Sequence, residues 1–224
     1  MRNSARKIWW GALVAVLTVG VMAFGAVNAQ SMNEPKKKMS WTIGVGSPSG
    51  SGVSDYYGST WLNIKGNYRL AQCEKNEQSI SFGLCGGNKS KDFMWGPVHP
   101  ESEADYSATI FSLAYDYKIK TASSFYYGAG VGIHFARTSA KYDAGEGWTW
   151  PSNDNRYIEM SKSGTTIAPS FGVGYQIKET IGMELGYTMF NTTLAGNTSS
   201  VSGLPPVPAT KLSGLLTFSA NVRF

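Results

Sequence analysis

Two histidines and two cysteines are the whole stock of soft ligand and base side chains in this 224-residue chain. That stock excludes a multi-metal or cysteine-rich scaffold, and the sequence offers no cofactor motif and no metal-ligand set. A hydrolytic nucleophile needs a base within hydrogen-bond reach. His134 is followed by Phe135, Ala136, Arg137, Thr138 and Ser139. Positions four and five apart in a strand lie more than ~13 Å away, so Ser139 is out of range and His134 reads as an interior hydrogen-bonding residue. His99 sits among Pro97 and Pro100 with no evident carboxylate or serine partner in sequence. Four charged residues are conspicuous because apolar segments surround them: Lys65, Asp116, Glu184 and Arg223. What they can do depends on which face of which element holds them.

The chain is 42% hydrophobic, 13% aromatic and 16% charged, with 26 Gly. Enough apolar surface exists to bury, which argues against disorder, and the composition is not that of a helical bundle. The net charge of +5 misleads. Arg2, Arg6 and Lys7 supply three of the 20 cationic residues, leaving 17 against 15 acids in the remainder. Those three precede an apolar run over residues 8–24, and Val27-Asn28-Ala29 offers small residues for cleavage. This is the order of a secretory signal, here residues 1–29, with a tail at 30–39 that holds the solvated run Lys36-Lys37-Lys38. The near-neutral mature chain gives no sign of nucleic-acid binding. Export permits a disulfide between Cys73 and Cys85. A bridge needs Cα atoms within ~7 Å. Cys73 falls at a short turn and Cys85 several residues up the next strand, which favours no bridge; a hairpin centred near Ser79 would let them pair.

From residue 40 to 224 the dominant signal has period two. Over 125–136 one face carries Phe125, Tyr127, Ala129, Val131, Ile133 and Phe135, and the other Tyr126, Gly128, Gly130, Gly132, His134 and Ala136. The same alternation runs through 106–119, 165–177, 181–191 and 212–224. Shorter candidates at 41–46, 58–70 and 79–88 bring the count to eight. The connections alternate: short at 71–78, 120–124 and 178–180, long at 47–57, 89–105, 143–163 and 194–209. All long connections then fall on one edge, as in outer-membrane barrels.

The two faces decide between a soluble and a membrane barrel. Opposite the large apolar residues stand Gly, Ala, Ser and Thr with Lys65, Asp116, Glu184 and Arg223 among them. Such a face suits a crowded interior, so the apolar face meets lipid, and backbone groups are satisfied there only if the sheet closes. The sequence therefore predicts an all-β, eight-stranded antiparallel up-and-down transmembrane β-barrel. Tyr68, Tyr115, Tyr117, Phe125, Tyr127 and Tyr175 would form an aromatic girdle near the short turns. Pro169 is the conflict: it lies inside a predicted strand and removes a ladder donor, so a bulge there, or a strand starting after it, is expected.

Asn63-Ile64-Lys65-Gly66-Asn67-Tyr68-Arg69 is similar to the second-strand motif of the OmpX/Ail/Lom group of small outer-membrane proteins, with Gly66 and Asn67 departing from it. Tyr127-Gly128-Ala129-Gly130-Val131-Gly132 resembles that group's fifth strand, and residues 171–187 its sixth-to-seventh strand unit. The ending Arg223-Phe224 is similar to the group's, although Asn221 and Val222 depart. The resemblance implies an eight-stranded barrel with exposed loops that in some members attach to host cells or matrix and resist complement.

The resulting expectation is a non-enzymatic outer-membrane surface protein whose loops engage a host-cell, matrix or serum protein, in contact with outer-membrane lipid and lipopolysaccharide. Loop candidates are Lys89, Lys91, Trp95, Lys141, Trp148, Trp150 and Arg156; the aromatic ones either anchor a partner or pack on each other. Lys65, Asp116, Glu184 and Arg223 are expected to form an interior polar network, because buried charges are costly unless paired. The rivals are a lipid-modifying enzyme and a small pore. A lipid A deacylase would show a His-x-Ser spacing that is missing here. A PagP-like acyltransferase would begin with an amphipathic helix, for which residues 30–39 are too short and too polar. Eight strands leave an interior just wide enough for side chains.

Overall fold

The computed structural model describes residues 38–73, 75–93, 102–144, 149, 156–178, 180–194, 196 and 207–223. The expected signal at 1–29 and most of the tail lie outside them. Ten strands and one short helix follow in order: β1 (Met39–Ser49), α1 (Val53–Tyr57), β2 (Trp61–Gln72), β3 (Asn76–Phe93), β4 (Ser102–Lys120), β5 (Phe125–Asp143), β6 (Tyr157–Lys178), β7 (Ile181–Thr188), β8 (Thr192–Leu194), β9 (Thr210–Leu212) and β10 (Gly214–Arg223). Eight of them close an antiparallel barrel in the order β1-β10-β7-β6-β5-β4-β3-β2. Every connection within it joins sequence neighbours except that β8 and β9 form their own small hairpin between β7 and β10. The fold is an eight-stranded up-and-down transmembrane barrel.

The alternation dictates the wall. Ile43, Val45, Leu62, Leu84, Phe111, Ile133, Phe171, Val173, Leu185 and Phe218 all point outward and are exposed. An exposed apolar surface this extensive has no place in water and defines the lipid belt. Glycine adjusts the belt at one point. Gly66 lies in register between Trp41 and Phe82, and its missing side chain lets those rings meet edge-on at 5.5 Å. At the short-turn edge Phe125 packs on Tyr175 at 4.8 Å.

Strand lengths differ from the sequence expectation in a systematic way. β3, β4, β5 and β6 run 18, 19, 19 and 22 residues, well past the ~9–11 needed to cross a bilayer. Among the described residues, most of what the sequence reads as the loops 89–105 and 143–163 is therefore strand. The cause is an inversion of pattern. Below Phe111 and Phe135 the outward positions are apolar and the inward ones small or polar. Above them Ala104, Tyr106, Ala108, Ile110, Ala140 and Tyr142 point inward and are buried, while Asp105, Thr109, Arg137 and Lys141 point outward and are exposed. Lipid surrounds the lower half, water the upper half, and the same sheet serves both.

The upper half owns a core of soluble type. Val53 and Tyr57, one helical turn apart on α1, are fully buried with Trp61, Tyr142 and Leu212. Gly52 (φ 76°) and Gly58 (φ 79°) bracket α1 with left-handed backbone, which turns the helix down into the barrel mouth. Trp61 Nε1 donates to the Tyr57 carbonyl at 2.9 Å. Phe190, Leu194 and Val207 close the core from the β8–β9 side.

Pro169 causes no break and carries no bulge; the irregularities fall at Arg69/Ala71 and Gln176/Lys178. The β6 strand runs straight through Pro169. Its carbonyl accepts from Met189 N–H at 2.9 Å, so its missing donor faces β7 just where β7 pairing ends at Ser170↔Thr188. No ladder bond to β5 is lost, which is where an edge strand tolerates proline.

Candidate functional site

The lower lumen is a stack of ion pairs. Lys65 reaches Asp116 at 2.8 Å. Glu184 accepts from Lys118 at 2.5 Å and from the Tyr126 hydroxyl at 3.0 Å. Nearer the short turns Glu77 gathers three cations: Arg69 at 3.2 Å, Lys120 at 3.3 Å and Arg223 at 3.8 Å. The four charges grouped by sequence parity are thus divided over three levels. Lys65 and Asp116 form one pair, Glu184 joins Lys118, and Arg223 joins Glu77. Parity with Asp116 is the signal that could have found Lys118. Glu77 lies outside the predicted strand 79–88.

Between this stack and the outer core lies a cavity of about 100 Å³, bordered by Lys65, Ser112, Asp116, His134, Glu184 and Thr217. Here the register supplies what the chain order hides. Ser112 stands directly across from His134, and its Oγ lies 2.7 Å from Nδ1. His134 is 6% exposed and packs edge-on against Phe190 at 4.9 Å. A serine and a base therefore do meet, but inside the barrel. Cys73 and Cys85 are not joined by a disulfide; Cys85 is buried facing the lumen, and Cys73 Sγ accepts the Asn76 N–H at 3.2 Å in the β2–β3 turn.

Outside the membrane the projecting sheet β3-β4-β5-β6 presents an outward polar face and an open edge. β6 pairs with β5 up to Tyr157 but with β7 only from Ser170. Gln176 N–H bonds on the β5 side, to Ser124 O, and Pro169 O bonds on the β7 side. The backbone groups of Tyr157, Glu159, Ser161, Ser163, Thr165 and Ile167 therefore point away from β5, and no strand among the described residues pairs with them. Above the belt, burial pushes the phenols of Tyr57, Tyr106 and Tyr142 up from their ordinary value.

The expected loop residues fall differently. Lys89 and Lys91 lie on β3 and turn toward α1: Lys89 Nζ donates to Ser54 O at 3.2 Å, and Lys91 sits 4.1 Å over the Tyr56 ring. Lys141 is on β5, 4.1 Å over the Tyr157 ring. Arg156 makes a two-pronged pair with Asp143 at 2.7 and 3.0 Å and approaches the same ring at 5.3 Å. Lys141, Arg156 and Tyr157 thus form one external cluster. Trp95, Trp148 and Trp150 lie outside the described residues.

This geometry defines a class: a small transmembrane barrel with ion pairs across its lumen and a sheet that projects beyond the lipid belt. No family model matches the chain, and no curated protein matches it in sequence. In fold it is similar to Ail, the attachment invasion locus protein of Yersinia pestis, solved in complex with the heparin analogue sucrose octasulfate. That likeness covers 85% of this chain and 100% of Ail, with a TM-score of 0.50 at 12% identity. The outer membrane protein OprG from Pseudomonas aeruginosa is also similar, at 16% identity over 84% of this chain and 97% of OprG, with a TM-score of 0.49. At these identities what is shared is the fold.

Proposed function

We propose that the chain is an outer-membrane surface protein of the OmpX/Ail/Lom kind, and that its projecting sheet engages host-cell, matrix or serum components. The observation that carries the reading is the projection itself. Four strands continue past the lipid belt over an aromatic core of their own, and β6 ends in an edge with which no strand among the described residues pairs. An unpaired edge is a liability that proteins normally cover, and it is a template for adding an extended strand from a partner. Lys141 over the Tyr157 ring suits a sulfated glycan, since a cation and an aromatic face share one exposed spot, with Arg156 held beside them by Asp143. The heparin analogue bound by Ail supports that chemistry.

Neither rival has comparable support. The Ser112–His134 pair faces a cavity of about 100 Å³, whereas ligand pockets run ~300–1,000 Å³, so the pair serves the lumen's hydrogen bonding rather than lipid hydrolysis. A pore would need an open lumen, and this one is filled at both ends. Trimming β3–β4 and β5–β6 to the lipid belt, with short Asn-Gly turns, tests the reading. Trimmed barrels should still insert, and their cells should lose attachment to host cells, immobilised matrix protein and heparin. If trimmed and parent cells attach equally and survive serum equally, the projection does not carry the function.

A further inference from the structure

On the outward face of the projecting sheet, the first two rows above the lipid belt carry hydroxyls around a single cation. Phe111, Phe135 and Thr165 form the last belt row, with the two rings 6.3 Å apart. The next row is Thr109, Arg137 and Ser163, and the one beyond is Ser107, Ser139 and Ser161. Arg137, Thr109, Ser161, Ser163 and Thr165 are exposed. Ser107 and Ser139 share a hydrogen bond at 2.8 Å. Arg137 Nη2 donates to Ser161 Oγ at 3.5 Å, at the limit of a hydrogen bond, so most of its donors remain available. Among the described residues no carboxylate pairs with Arg137; Asp105 and Glu159 come only in the third row, where they flank Lys141.

We propose that Arg137 and its surrounding hydroxyls bind the phosphate of an anionic lipid headgroup in the outer leaflet. The inference rests on the outer-membrane reading above and deepens it by assigning a lipid site. Height is the first argument. Arg137 lies two residues beyond Phe135 on one strand face, about 7 Å along the strand, and belt aromatics mark the boundary between hydrocarbon and headgroups. Direction is the second. The patch faces sideways across the membrane plane, so its neighbour is the adjoining headgroup; the Lys141–Tyr157 cluster stands higher. Chemistry is the third. A guanidinium presents a planar fork that matches two phosphate oxygens at once, and hydroxyls can donate to the remaining oxygens. Small hydroxylated neighbours on three strands leave the fork accessible, where long charged side chains would cover or neutralise it.

The test uses the folded barrel in nonionic detergent, with closure checked by its altered gel mobility before boiling. Diphosphorylated lipid A and its dephosphorylated counterpart are added in turn, and bound lipid is counted by native mass spectrometry. The parent should prefer the phosphorylated lipid roughly tenfold, the scale of one charge-assisted two-pronged contact. Arg137→Ala should lose that preference, and Arg137→Lys should keep only part of it, because a point charge replaces the fork. Lys211→Ala removes an exposed cation from the β8–β9 hairpin, away from the patch, and should keep the parent's preference. Millimolar inorganic phosphate should not displace the lipid, because the proposed occupant is held in the headgroup layer. The proposal is overturned if the parent has no preference, if Arg137→Ala keeps it, if Lys211→Ala loses it equally, or if inorganic phosphate displaces the lipid. A chain that never shows the gel shift overturns the outer-membrane reading and the proposal together, whereas a closed barrel indifferent to phosphate overturns the proposal alone.

Discussion

The ion pairs of the lumen show how far one residue's surroundings decide its worth. Glu184 holds Lys118 and the Tyr126 hydroxyl at once. Removing one member of a buried pair leaves the other charged and desolvated, at a cost of about 3–5 kcal/mol. Glu184→Ala is therefore expected to lower the unfolding free energy by that scale, read as a lower urea midpoint of the barrel in lipid vesicles, with attachment by the projecting sheet unchanged; an unaltered midpoint would contradict the pairing. The small residues opposite are equally specific. A methyl on Gly130 would press on Asp116 Oδ1 and stand 2.8 Å from the Tyr115 carbonyl, pulling Asp116 away from Lys65, whereas one on Gly172 would meet nothing closer than 3.5 Å. Gly130→Ala should destabilise and Gly172→Ala should not. Composition places small residues on this face, but it does not say which glycines are required. Parity likewise groups Lys65, Asp116, Glu184 and Arg223 on one face without giving their height, and only the ladder register sorts them into levels. The Ser112–His134 contact is invisible along the chain for the same reason: the two residues are 22 positions apart and one hydrogen bond apart.

At the scale of the strand, eight crossings and the alternation of short and long connections are legible because lipid demands a continuous apolar face. The upper strands are not, because their apolar face changes sides. Tyr106, Ala108 and Ile110 share the parity of Ser112 and Asp116, so a reading that follows one apolar parity stops where β4 leaves the membrane. Helix α1 is five residues long, too short for any periodicity to announce it. The free edge of β6 is likewise a consequence of unequal strand lengths rather than of any local motif. It has a directional test. The Ser161 N–H faces the open side, and the Lys162 N–H faces β5. Proline at 161 should leave the β5 ladder whole and block only strand addition by a partner, whereas proline at 162 removes a ladder donor, a loss found essentially only at edges. Ser161→Pro should therefore match the parent in thermal gel-shift temperature, and Lys162→Pro should fall below it. Equal falls would mean that the edge is already paired.

As a whole the molecule is two solvents' worth of protein in one barrel. Its lower half is inside out, with charges in the lumen and apolar side chains in lipid. Its upper half is built like a soluble domain, with Val53, Tyr57, Trp61, Tyr142 and Leu212 fully buried in the mouth. The two halves close the lumen by different means. The outer seal is apolar packing, and truncating a large aromatic in such a core costs about 3–5 kcal/mol, so α1 does not leave by thermal motion alone. The inner seal is electrostatic: the Glu77 cluster sits at the short-turn end, below the pairs Lys65–Asp116 and Lys118–Glu184. An ion would have to displace paired side chains at each level, and an eight-stranded barrel has no spare diameter for it to pass beside them. The parent barrel in planar bilayers should show no steady conductance steps. Replacing residues 50–60 by a short turn takes α1 out of the outer seal, yet it too should stay silent, because the ion pairs still cross the lumen. Adding Glu77→Ala, Asp116→Ala and Glu184→Ala to that deletion removes the acid of every level and should produce the first discrete steps. Ohmic steps from the parent would mean that the lumen opens on its own, and steps from the deletion alone would mean that the ion pairs are not a seal.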